Sequence, residues 1–200
     1  MLPQGIGGAF YINLDHRTDR RQEFEGEIER MGLSCERFSA IKHSSGTIGC
    51  GYSHLAILKE ARARGYESVL IFEDDFQFLV EKDTFWSIID AIKDVQYDVI
   101  MISYALIGSS PHSEHLLKVR DAQTTSGYIV HSRMYDTLID LNEYAVKELI
   151  KTGKHWIYAV DQIWKRLQPT SEWFATKIRI GKQRASYSDV ANKFMDYHDA

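Results

Sequence analysis

Cysteine and proline are scarce in this sequence, and several common signatures are missing outright. Two cysteines, Cys35 and Cys50, and three prolines occur in 200 residues. With no CxxC, the cysteines are too sparse for a disulfide framework or a zinc site, and they read as two thiols. No GxxxxGK[ST] occurs, so a phosphate-cradling P-loop is excluded. Residues 1–10 lack the basic start and apolar stretch of a secretion signal. No run approaches the length of a membrane span. The chain is therefore expected to be soluble and cytoplasmic, with peripheral contact to a membrane left open. A basic excess is also lacking: the formal net charge is -4 and the pI about 6.1. That argues against a general nucleic-acid binder, while a local arginine cluster could still hold a phosphorylated small ligand.

What is present is ordinary for a chain with a sizeable core, 44% hydrophobic and 26% charged residues, and 1–200 reads as a single domain. The run Ala9 to Leu14 reads as a buried strand. Thr18 can cap a helix whose apolar face is Phe24, Ile28 and Met31, stopped by Gly32. A second strand is expected over 35–41, a Ser/Thr/Gly-rich loop over 42–51 and a helix over 52–64. Ser68 to Phe72 is the clearest strand. After it come a helix over 85–92, a strand over 97–102, a polar loop over 107–114 and a strand over 127–130. A long amphipathic helix through Met134, Leu138, Leu141, Ala145 and Leu149 follows. A short helix over 159–167 and a strand over 173–180 end the pattern. Strands alternating with helices predict an α/β fold with a mainly parallel central sheet flanked by helices.

Glu73-Asp74-Asp75 directly follows the clearest strand. Three adjacent carboxylates are unfavourable unless something neutralises them, and strand C-termini in parallel sheets open onto the ligand crevice. Glu73 and Asp75 would share one side of an extended segment. Oxygen-only ligands suit Mn²⁺ or Mg²⁺; the bland alternative is a solvated turn. Arg17, Arg20 and Arg21 follow the first strand, where guanidinium forks could meet phosphate oxygens or simply pair with Glu23, Glu25 and Glu27. Asn13 could bond a base or ribose, or shape a local turn. Gly49 to His54 joins the expected glycine-rich loop to a helix start, where an anion could sit near Ser53 and His54. Asp161, beside Gln162, could take a proton from an acceptor hydroxyl, or be an acid favoured by a helix N-terminus. The segment 181–189 carries Lys182, Gln183 and Arg184 and could close over a phosphate as a lid.

Taken in order, these blocks resemble glycosyltransferase family 25, which includes bacterial lipooligosaccharide galactosyltransferases, procollagen galactosyltransferases and relatives in large DNA viruses. The blocks are Tyr11-Ile12-Asn13-Leu14-Asp15 with Arg17 and Asp19-Arg20-Arg21; Gly49-Cys50 with Ser53-His54; Leu70-Ile71-Phe72-Glu73-Asp74-Asp75; Tyr128-Ile129-Val130; Asp161-Gln162 with Trp164; and Gln183-Arg184 with Ser188-Asp189. Together they run from about residue 9 to about residue 190. The resemblance implies a GT-A-type nucleotide-diphospho-sugar transferase fold. It also implies transfer of a hexose such as galactose or glucose with inversion, in glycan or lipopolysaccharide biosynthesis. A UDP-sugar is the first candidate donor, and a glycan, a lipid-linked sugar or a protein hydroxyl the acceptor. By position, Glu73 and Asp75 would hold the metal, Asp161 would be the base and Gln162 would orient the acceptor. The donor would meet Tyr11, Ile12, Asn13, Leu14, Arg17, Arg20, Ser53, His54, Asp74, Gln183 and Arg184. Gly51-Tyr52 and Ser103 depart from the family pattern close to the expected donor pocket. Two rival readings are a Mg²⁺-binding receiver-like domain and a non-catalytic nucleotide-sugar or glycan-binding module.

Overall fold

The computed structural model describes residues 1–188 and 193–196. In chain order its elements are β1 (Gly8–Asn13), α1 (Thr18–Met31), β2 (Glu36–Ser39), α2 (Gly46–Ala63), β3 (Ser68–Glu73) and β4 (Phe76–Phe78). Next come α3 (Lys82–Ile92), β5 (Val99–Met101), β6 (Ala105–Pro111), β7 (Leu116–Gln123), β8 (Gly127–His131) and α4 (Tyr135–Thr152). The chain continues through α5 (His155–Tyr158), α6 (Val160–Ile163), β9 (Trp173–Thr176), β10 (Gly181–Gln183), β11 (Ser186–Ser188) and β12 (Lys193–Met195).

Eight strands form one sheet in the order β2-β1-β3-β8-β5-β9-β7-β6. β1 pairs parallel with β2 and β3, and β5 with β9, while β8 runs antiparallel between β3 and β5. Only β7 and β8 oppose the common direction. An antiparallel strand at the centre separates this sheet from the all-parallel one of a receiver-like domain.

Period-two alternation sorts the side chains of β1: Phe10 and Ile12 pack on the α2 and α4 side, Ala9 and Tyr11 on the α1 and α3 side. In α3, Phe85, Ile88, Ile89 and Ile92 form one buried face at helical spacing. Gly32 ends α1 with φ 63, a left-handed conformation that glycine adopts without a Cβ clash. Thr18 is the first residue of α1 rather than its cap, because Arg17 holds the cap position and offers no capping side chain. Among the described residues, no helix is long and apolar enough to cross a membrane.

The structure also corrects the sequence reading over two longer segments. The expected loop over 42–51 is half helix, since α2 already begins at Gly46. Gly49 and Gly51 do not break this helix. They let it pack closely: a Cβ on Gly49 would stand 2.5 Å from the Ile41 carbonyl oxygen, and one on Gly51 2.9 Å from Val146. The expected polar loop over 107–114 is largely strand β6, paired with an unforeseen β7. β6 is an outer strand of partly exposed residues closed by Pro111, where proline is tolerated.

Candidate active site

The chain turns sharply after β3. Glu73 ends the strand, Asp74 and Asp75 form the turn, and Phe76 begins β4. The segment is thus not extended through Asp75, yet all three carboxylates line one cavity of about 700 Å³. The turn is pinned from several sides. The Asp74 amide donates to the Ile12 carbonyl at 3.1 Å, the Glu73 amide to Ser126 at 2.9 Å, and the Arg184 amide to the Asp75 carbonyl at 2.7 Å.

Each carboxylate has a different environment. Glu73 is held by His54 Nε2 at 3.3 Å and by the Thr125 hydroxyl. Burial raises its carboxyl, but those two partners outweigh burial and hold it below its usual value. Asp74 accepts from Asn13 at 2.7 Å and from Arg20 at 2.9 Å. Burial still pushes it upward. Asp75 reaches Arg20 only at 3.4 Å, and its Oδ1 is buried without a hydrogen-bond partner among the described residues. Burial, reinforced by the charge of Glu73, pushes Asp75 up to about 7 against the pull of Arg20. One buried arginine therefore faces three carboxylates. An unpartnered, buried carboxylate oxygen among three carboxylates fits a hard divalent cation.

Asp161, in the first turn of α6, lines the same cavity. Its Oδ2 accepts from the Thr124 amide at 3.4 Å and from Gln162 at 3.2 Å. Burial raises this carboxyl above its usual value, and the charge of Glu73 adds to the rise. Thr124 holds Gln183 through its hydroxyl at 2.9 Å. It adopts φ 88, a left-handed conformation that is strained for a β-branched residue.

Of the sequence-predicted site residues, the cavity gathers Ile12, Leu14, Arg20, Ser53, His54, Glu73, Asp74, Asp75, Asp161 and Gln183. Five others lie off its wall. Tyr11 points to the opposite face of the sheet and donates to Glu25 at 2.6 Å. Asn13 stands behind Asp74 as its support. Arg17 is engaged with Asp19 and with the Tyr187 carbonyl. Gln162 joins Gln123 to Asp161. Arg184 turns to Glu23 and Glu27 on α1. Among the unusual family positions, Gly51, Tyr52 and Ser103 are also absent from the cavity wall; Ser103 is buried against Ser126. Asp189, the end of the expected lid segment, lies outside the described residues.

Sequence reasoning missed Lys42, His43, Cys50, Gln123, Thr124 and Thr125, all of which line the cavity. The missed start of α2 hid the first three, because its first turn at Gly46 and Thr47 faces the cavity along with Ser53 and His54. The missed β7 hid the rest, which lie at its end and in the link to β8.

No family model matches the chain. A curated relative from Aedes aegypti, named a glycosyltransferase 25 family member, is 26% identical over an alignment of 102 residues. The match covers 37% of this chain, and the chain spans only 17% of that relative's length. Among solved structures, a glycosyltransferase involved in glycosylation of the major capsid of PBCV-1 superposes with a TM-score of 0.56 at 10% identity. That likeness covers 92% of this chain and 95% of the other. At such identity it speaks for the fold alone. By its residues and its curated relative the chain resembles glycosyltransferase family 25, and its backbone has the GT-A-type fold of nucleotide-sugar transferases.

Proposed function

We propose that the chain is a metal-dependent hexosyltransferase that moves a sugar from a nucleotide-diphosphate donor, first of all a UDP-sugar, to an acceptor hydroxyl with inversion. One observation carries this reading: Asp161 and the acidic turn line the same cavity, and Asp75 presents a buried, unpartnered oxygen to it. Asp75 and Glu73 would hold the Mn²⁺ or Mg²⁺ ion, which supplies Lewis-acid stabilisation of the departing nucleotide diphosphate.

The chain's own groups divide the remaining work. Arg20, fixed between Asp74 and Asp75, offers positive charge beside the diphosphate. The first turn of α2 at Gly46 and Thr47, with Lys42 next to it, gives backbone donors and a positive helix end suited to phosphate oxygens. Asp161, raised by burial, takes the acceptor hydroxyl proton, since a base works best with a pKa nearer the working pH. Gln162 and the Thr124 amide orient that carboxylate. The hydroxyl attacks from the face opposite the leaving group through an oxocarbenium-like state.

The test is a panel of nucleotide sugars incubated with the chain and Mn²⁺, followed by assay of released nucleotide diphosphate and of transfer to glycan, lipid-linked and peptide hydroxyls. Donor-dependent nucleotide release that EDTA abolishes supports a transferase. Saturable donor binding without turnover on any acceptor or water would instead favour a binding module.

A further inference from the structure

Four residues apart on α2, Cys50 and His54 present side chains to the same face of the helix. That face looks onto Glu73 at the end of β3. The ligating atoms of Cys50, His54 and Glu73 all lie within 4.8 Å of one another, and all three residues line the cavity. We infer that Cys50 Sγ, His54 Nε2 and a Glu73 carboxylate oxygen form a binding site for a borderline-soft divalent cation of the zinc class. A ligand set of thiolate, imidazole and carboxylate selects against Mg²⁺ and Mn²⁺, which prefer oxygen alone. Three protein ligands with a fourth position opening on a cavity is the arrangement of an accessible zinc centre rather than a closed structural one.

The surroundings are built for it. His54 is fully buried, and its Nδ1 stands 2.7 Å from the Tyr128 hydroxyl. In the metal-free chain Nε2 donates to Glu73 Oε1, 3.3 Å away; when the ring proton sits on Nδ1 and is donated to the Tyr128 oxygen instead, the Nε2 lone pair is free for a metal. Such an outer partner fixes the tautomer and ring orientation of a metal-ligating histidine. The Thr125 hydroxyl steadies Glu73 from the other side. On binding, a sulfur–metal bond forms, the Cys50 S–H bond breaks and its proton passes to solvent. Cys35, the other cysteine, is not part of the cluster and serves as an internal control.

The site does not depend on the transferase reading, and its test uses the protein alone. Where that reading also holds, Glu73 belongs to both ligand sets, so zinc would compete with Mn²⁺ for the cavity.

Titration of the metal-free chain with Co²⁺ is expected to give a thiolate-to-cobalt charge-transfer band and tetrahedral visible bands, saturating at one equivalent and erased by Zn²⁺. Cys50→Ser should lose the charge-transfer band, and Cys35→Ser should keep it. A wild-type chain without the band, or a Cys50→Ser chain that retains it, would overturn the site. A second measurement covers the case of a misfolded variant: peptide mapping of thiol modification in the wild type. Zinc at ten times its dissociation constant should slow modification of Cys50 about tenfold and leave Cys35 unchanged. Equal modification of Cys50 with and without zinc would refute the assignment.

Discussion

The five residues Phe72 to Phe76 build two opposite environments from one turn. Phe72 and Phe76 are fully buried and meet edge to face at 4.8 Å between ring centroids, within a cluster that adds Phe24, Phe78 and Phe85. Gly181 and Gly127 pack so closely on Phe76 that a Cβ would fall 2.0 Å and 2.5 Å from its ring. Between the two phenylalanines, Glu73, Asp74 and Asp75 face a cavity with one shared arginine and an unpartnered oxygen. The aromatic side is filled and apolar, and the carboxylate side is open and short of positive charge. The first is what stability selects, and the second persists in spite of stability, as sites for ligands commonly do.

The largest effect should come from breaking the aromatic side. Phe76→Ala removes a fully buried ring from a tightly packed cluster and should cost about 3–5 kcal/mol of folding stability. Denaturant unfolding measures this; a loss under about 1 kcal/mol would mean the cluster collapses onto the gap.

Next is the Asp161 wall of the cavity. Asp161→Asn should lower transfer by about a hundredfold or more, the usual worth of a positioned base, while donor affinity stays near wild type. Stability is measured alongside, because a lost first-turn carboxylate alone can cost up to about 1 kcal/mol. Full activity, or a loss of donor affinity matching the loss of rate, would remove Asp161 from the role of base.

The carboxylate side should respond in the opposite direction to the aromatic side. A carboxyl held at about 7 in the folded chain, against 3.8 in the unfolded one, binds its proton more tightly when folded. Its charged form therefore lowers stability in full above about pH 7. The penalty fades as pH falls through 7 and vanishes below about 4, where both states are protonated. The shift sets a ceiling of about 4 kcal/mol. Asp75→Asn should thus stabilise the metal-free chain by about 1–3 kcal/mol at pH 8 and by little at pH 4. Thermal melts across that range check it, and destabilisation at pH 8 would contradict the charge imbalance.

Much of this contrast was legible in the sequence, and the rest was hidden for identifiable reasons. The apolar run before Glu73 marked β3, and its end marked the carboxylates, because buried strand and acidic turn have opposite chemistry at adjacent positions. Asp161 stood out through its place in the ordered blocks of the family resemblance. Gly49 and Gly51 misled because glycine reads as a breaker, whereas here the absence of a Cβ lets α2 approach Ile41 and Val146. β6 and β7 carry many partly exposed residues, so they show little apolar alternation, and the Gln123 to Thr125 wall at the end of β7 went unseen with them. Arg17 and Arg184 looked like phosphate ligands by type, but acidic and carbonyl partners nearer to hand engage both.

The most direct test of the central claim, that a divalent cation completes the carboxylate side, is the thermal stability of the wild-type chain with a nucleoside diphosphate such as UDP. On the proposed reading, three carboxylates repel the diphosphate without metal and help to hold it through Mn²⁺. At about a hundred times the dissociation constant, UDP should add roughly 2.7 kcal/mol in Mn²⁺ and nothing measurable in EDTA. Equal stabilisation in Mn²⁺ and in EDTA would contradict the account.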